Sequence, residues 1–236
     1  MHPDEIFGGY PWFYRDELLH ADTFPWSRNI EARTMLLNPD FAERLNLHEY
    51  TQARYAESLQ EVPRLDGENA QEARRREIAY LNMEWFMQTL LARMDAANRH
   101  GAEALVPFAD VRIIDYLWNV PWAFKSRNGV VKGVLRDAFA GLLPPKLLNR
   151  KKSPFPKTYN PAYTQLLKER LTQVINDTSS PILPMLNVAR VRQFADAPQE
   201  LGKPWFGQLM AGPQMMAYLL QVNYWLKTRK MTYSSL

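Results

Sequence analysis

Residues Asn69–Asn98 read NAQEARRREIAYLNMEWFMQTLLARMDAAN, the longest helical pattern in the chain. Ile78, Leu81, Trp85 and Gln88 fall along one stripe at spacings of three and four. Met83, Phe86, Met87, Leu90, Leu91 and Met94 fill much of the remaining circumference. The pattern predicts one long helix, apolar enough all round to lie largely buried. Working outward, the same periodicity predicts shorter helices near Pro11–His20, Arg28–Leu37, Leu47–Val62, Asp110–Trp118, Val130–Ala140, Pro161–Ile175 and Val188–Ala195. A last one is expected from about Pro213 to Lys227. No alternating strand appears, and Ala104-Leu105-Val106 is too short to be one. The expectation is a mainly α protein, a single helical unit over residues 1–236 with a possible joint at Arg64–Asn69. Its loops are stiffened by many of the 17 prolines.

Composition agrees with a globular chain. With 46% hydrophobic and 12% aromatic residues among 236, a substantial core is available and disorder is not the default. No apolar run approaches the ~20 residues needed to span a bilayer, and no basic-then-apolar leader opens the chain, so no membrane role and a cytoplasmic location are expected. The absence of cysteine excludes disulfides, thiolate metal sites and a cysteine nucleophile. Net charge is +4, carried largely by Arg74-Arg75-Arg76 and Arg150-Lys151-Lys152. The first cluster sits in the long helix beside Glu72 and Glu77 and reads as a solvated face. The second follows Pro144-Pro145 and leads into the constrained Ser153-Pro154-Phe155-Pro156. Nucleic-acid binding would need more cations on one surface with stacking aromatics between them, so it is not expected.

Several chemistries can be struck off. His2, His20, His48 and His100 are scattered and none has a partner at metal-ligand spacing. There is no Gly-x-Ser-x-Gly elbow and no phosphate loop of the Gly-x-x-x-x-Gly-Lys type. Two constellations remain. Asp4-Glu5, followed by Ile6-Phe7-Gly8-Gly9-Tyr10, resembles carboxylates at the tip of a strand, which suits Mg²⁺; a simple helix cap is the competing reading. Lys132 and Arg136 stand at i and i+4, where like charges cost about 0.2–0.5 kcal/mol unless an anion lies between them. A phosphate site and two solvated cations on an amphipathic helix both remain open.

Asp4–Tyr10 resembles the second half of the Ser-Gly-Glu-Gly-x-Asp-Glu-x-Phe-Gly-Gly-Tyr motif of the asparagine synthetase family. Further matches follow in order. Glu84–Leu91 resembles the family's long helix, and Val106-Pro107-Phe108-Ala109-Asp110 its Val-Pro-Phe-Leu-Asp. Lys132-Gly133-Val134-Leu135-Arg136 with Leu142-Leu143-Pro144 and Asn149–Pro156 resembles its Lys-x-x-Leu-Arg…Leu-Pro…Phe-Pro block. The resemblance implies the helical C-terminal half of an α/β ATP-pyrophosphatase-type (adenine nucleotide α-hydrolase-like) synthetase domain, with most of the parallel sheet absent. It implies amidation of aspartate through a β-aspartyl-adenylate, with ATP and Mg²⁺ as cofactors and ammonia or glutamine as amine source.

By the same resemblance Lys132 is the catalytic cation, stabilising charge on phosphate, and Asp4 is the ligand of Mg²⁺-pyrophosphate. Glu5 and Arg136 are carried over as ATP/pyrophosphate-binding candidates, Arg136 more as a residue that orients its helix or pairs locally. The Ser-Gly-Gly-x-Asp-Ser loop and the glutaminase part are not in this sequence, and Leu105 stands where the family usually has Arg. The chain alone is therefore expected to be inactive, with self-association or a separate N-terminal half as possible partners. The alternative is a non-catalytic helical scaffold module derived from the same fold. Any uncovered apolar face is expected around Trp85 and Tyr10–Phe13, either repacked or used for self-association.

Overall fold

A computed structural model of the chain describes residues 10–87, 101–103, 105–150, 160–198, 204–207 and 210–231. Among these the protein is mainly helical, without a named strand. In chain order the α-helices are α1 (Asp16–Leu19), α2 (Glu31–Thr34), α3 (Pro39–Leu45), α4 (Leu47–Gln60), α5 (Ala70–Leu81) and α6 (Val111–Trp118). They continue with α7 (Trp122–Lys125), α8 (Gly133–Ala138), α9 (Pro145–Leu148), α10 (Pro161–Asn176), α11 (Val188–Asp196) and α12 (Gly212–Thr228). No helix among the described residues is long and apolar enough to cross a membrane.

Side chains fix where these helices begin. Asn69 accepts from the backbone N–H groups of Gln71 and Glu72 at 3.1 and 2.9 Å, so α5 starts where the reading placed its long helix. Asp110 caps α6 through Arg112 N, and Asn160 caps α10 through Ala162 N, with Pro161 at the first helical position. The long helix does not stay α-helical. After Leu81 it widens into a π-helical segment, Asn82–Met87, and residues 88–98 lie outside the described ones. The helix expected over Pro11–His20 is also divided, into a 3₁₀ turn at Pro11–Phe13 and the single turn of α1.

The chain separates into two compact units, Met1–Asp22 with Ala56–Pro154, and Thr23–Tyr55 with Phe155–Leu236. One of the divisions falls inside α4, after Tyr55. The second unit is organised by an apolar core. Leu167, Leu171 and Ile175, one face of α10 at spacing four, pack with Met215, Met216 and Leu219 of α12 and with Val191 and Phe194 of α11. Two isolated antiparallel bridges, Leu37 with Leu186 and Phe206 with Met210, close its loops. At Gly212 the backbone passes so near Pro198 that a Cβ would lie 2.0 Å from the Pro198 carbonyl oxygen.

The first unit is built differently. Trp12, Leu19, Ile78 and Leu81 are each at most 1% exposed and join the 3₁₀ turn, α1 and α5. Around them the binding is polar. Arg74 donates to the carbonyls of Leu19 and Ala21, and ion-pairs with Glu77 at 2.7 Å. Arg76 reaches Glu68 at 2.8 Å and the Trp118 carbonyl at 2.5 Å. The Arg74–Arg76 run is therefore not a solvated face: Arg76 is buried at 9% exposure. Trp85, half-buried, donates its indole N–H to Ser58 Oγ at 2.8 Å.

Candidate functional site

Lys132 sits at the entrance of α8, not inside it. Its backbone is left-handed, with φ 63° and ψ 37°, and its side chain is exposed. Gly133 makes this entrance possible, because a Cβ there would lie 2.8 Å from the Phe124 carbonyl oxygen and 2.9 Å from Arg127 N. The first turn of α8 consequently rests directly on backbone of α7 and of Arg127, with Lys132 the residue just before that contact. Among the described residues no ion pair reaches its ammonium.

Arg136, expected as its i+4 neighbour on one helix, does something else. Its Nε donates to Val131 O at 2.9 Å and its Nη2 to Arg150 O at 3.2 Å, while Nη1 meets Leu148 O. One guanidinium thus ties the loop before α8 to the end of α9, leaving Lys132 held in place by backbone contacts on both sides. Asp137 on the same helix pairs with Arg127 at 3.2 Å. Asp4 and Glu5 lie outside the described residues.

The Val106–Asp110 motif forms a 3₁₀ turn, Pro107–Ala109, that delivers Asp110 to the start of α6. Arg112 clasps the Asp110 carboxylate at 3.0 and 2.7 Å, and these bonds hold its pKa below the ordinary 3.8. Asp110 is thereby accounted for as a cap. Leu105 and Phe108 are 78% and 68% exposed beside it.

A concavity in the same unit was not expected from the sequence. A pocket of about 380 Å³ opens between Phe13, α5, the π-helical segment, α6 and α7. Met83 and Met87 come from the π segment, and Trp118 and Trp122 stand across from Arg76 and Arg75. The guanidinium carbon of Arg76 lies 5.0 Å from the Trp118 ring centroid, and that of Arg75 lies 5.3 Å from Trp122. Phe13 stacks on Trp122 at 5.1 Å and Tyr14 meets its edge at 5.6 Å. Glu72 accepts the Trp122 backbone N–H at 3.0 Å. Lys125 lines the same space, and burial, reinforced by the Arg76 charge, pushes its pKa below 10.5 despite Glu72. The pairing of an Arg run with tryptophans at spacing four was the available signal; nothing in the sequence said that the two stretches meet.

What could be held here follows from the donors present. Lys132, cationic and exposed, fits a phosphate oxygen. Among the described residues no group of three or more His, Asp or Glu could hold a metal ion, so a Mg²⁺ ligand set is not found in them. The Arg75–Lys125 pocket, apolar over most of its lining and holding one carboxylate among its cations, does not fit a triphosphate.

A mainly helical fold that carries four collinear synthetase-type motifs places the chain in the synthetase class. More narrowly, the chain belongs to the asparagine synthase family, whose sequence profile matches residues 3–227. It is 44% identical over 226 residues to "Asparagine synthetase [glutamine-hydrolyzing] 3" of Bacillus subtilis (strain 168), covering 95% of this chain and 36% of that protein. It is also 36% identical over 73 residues to "Asparagine synthetase [glutamine-hydrolyzing] 1" of the same organism, 30% of this chain and 12% of that one. The chain thus spans well under two thirds of the relatives it matches.

Proposed function

We propose that this chain is a portion of an asparagine synthetase, and that Lys132 is its contribution to adenylation of aspartate. In that reaction a β-carboxylate oxygen bonds to the α-phosphorus of ATP and pyrophosphate leaves; ammonia then attacks the acyl carbon, AMP leaves, and the amine gives up a proton. Negative charge gathers on phosphate oxygens in the first step and on the tetrahedral carbon's oxygen in the second. A cation already in place lowers both barriers, since it need not reorganise as charge develops. The observation that carries this reading is the seat of Lys132: exposed, free of ion pairs among the described residues, and held between Gly133's backbone contact and the Arg136 clasp. Arg136 acts through that seat as a positioning residue.

Mg²⁺, when bound, would neutralise charge on the departing pyrophosphate, with Asp4 as the residue proposed to hold it and Glu5 as a candidate for binding the pyrophosphate. Glutamine as the ammonia source rests on the names of the Bacillus relatives. Because the match covers 36% of the longer relative, these 236 residues by themselves are expected to release no pyrophosphate.

The test uses a chimera that joins this chain to the remaining part of the 44% identical Bacillus subtilis relative. Aspartate-dependent pyrophosphate release from ATP should fall about 10²–10³-fold in Lys132→Ala, the range for losing one preorganised charge-stabilising donor. Lys132→Arg should recover part of it. Turnover indifferent to Lys132→Ala would overturn the reading and favour a non-catalytic helical module.

A further inference from the structure

We propose that the pocket lined by Arg75, Trp122 and Lys125 is a binding site for a small organic monoanion with an apolar body, separate from the Lys132 seat. Its volume of about 380 Å³ suits a molecule of one or two rings. Phe13, Met83, Met87, Ile114 and Leu117 supply apolar wall, and methionine thioethers adapt to irregular shapes.

The charges select the ligand's sign. Arg76 is matched by Glu68 at 2.8 Å and by the Trp118 carbonyl. Glu72 spends one oxygen on the Trp122 N–H and leaves the other 3.8 Å from Arg75. Two donors then remain: Arg75 Nε is buried without a hydrogen-bond partner, and Lys125 has no ion pair among the described residues. A half-buried ammonium beside a second cation is costly until an anion meets it. The number of charges is selected as well. Among the described residues one positive charge is uncompensated, and the Glu72 carboxylate repels anything carrying two or more. A carboxylate on an aromatic or branched body meets both demands; pyrophosphate and ATP meet neither. The π-helical segment contributes to the same shape, because it places Met83 and Met87 on the pocket wall, and such segments recur at binding sites.

The experiment titrates the 236-residue chain with 4-phenylbutyrate, 4-phenylbutanol and 4-phenylbutylamine, read by calorimetry and by the indole N–H resonances of ¹⁵N-labelled protein. The acid should bind and shift two indole signals, assigned by Trp118→Phe and Trp122→Phe. The alcohol and the amine should bind at least about tenfold more weakly, and Lys125→Met should weaken the acid by a similar factor while Lys125→Arg retains it. Lys132→Ala should leave the acid's affinity unchanged, which separates this site from the adenylation reading. Equal binding of all three probes, no binding of the acid, indifference to Lys125→Met in a folded variant, or displacement of the acid by inorganic pyrophosphate would each overturn the proposal.

Discussion

The two units solve the problem of cohesion in opposite ways. The second closes on a continuous apolar core in which Leu171, Val191 and Met216 are 0% exposed. Among its described residues the first has a small buried cluster and relies on arginines threaded between backbone carbonyls and carboxylates, while Leu105, Phe108, Val111, Tyr116 and Leu142 stay largely exposed. Apolar burial is non-directional and tolerant, whereas a buried guanidinium demands partners at fixed positions. Both the Lys132 seat and the pocket fall in the polar unit, where side chains are oriented rather than merely covered.

Breaking that contrast should show first at Arg76. Arg76→Leu removes the counter-charge of Glu68, itself only 11% exposed in its side chain, and is expected to cost about 3–5 kcal/mol in chemical denaturation of the first unit. Replacing Arg76 and Glu68 together by leucine should return much of that loss; if the single and double variants are equally unstable, the polar account fails. Next comes Met216→Ala, expected to cost about 2–5 kcal/mol in the second unit by opening a cavity in a packed core. A cost under about 1 kcal/mol would mean that this core collapses freely.

The polar unit should also respond to pH, by a smaller amount. Burial lowers the Lys125 pKa, so between that lowered value and 10.5 the unfolded chain holds a proton that the folded one has released. Stability from this group therefore rises with pH across that window. Tyr14 works the other way: burial raises its pKa above 10, and its contribution is lost as pH rises through the folded value. Subtracting Lys125→Met from the parent isolates the lysine, and the difference should shift in the parent's favour from pH 8 towards pH 10. A flat difference would mean that Lys125 is fully solvated.

Helix positions were legible where they depend on local periodicity: α4 falls within the stretch read as helical, and α10, α11 and α12 match theirs to within one residue at each end. The family was legible too, because its motifs are short, ordered and local. Tertiary relations were not. Three consecutive arginines span most of a helix circumference, so at least one had to face inward, but Glu68 and the Trp118 carbonyl that receive Arg76 come from separate stretches. Lys132 and Arg136 looked like facing neighbours only on the assumption of a continuous helix. With α8 starting at Gly133, the lysine leaves the helical lattice and the arginine turns to carbonyls. The pocket draws on four stretches, none of which signals the others, and the Lys125 environment exists only once Arg76 has folded against it.

The left-handed backbone of Lys132 carries a consequence for how this position drifts. A side chain in that conformation costs about 1–2 kcal/mol, and glycine escapes the cost. Lys132→Gly should therefore leave the first unit as stable as the parent or slightly more so. On the role proposed for Lys132, selection for heat tolerance alone would discard the lysine and selection for aspartate adenylation would keep it. Laboratory evolution under those two regimes would separate at this codon before most others, making it an internal gauge of whether a lineage is still under demand to make its product.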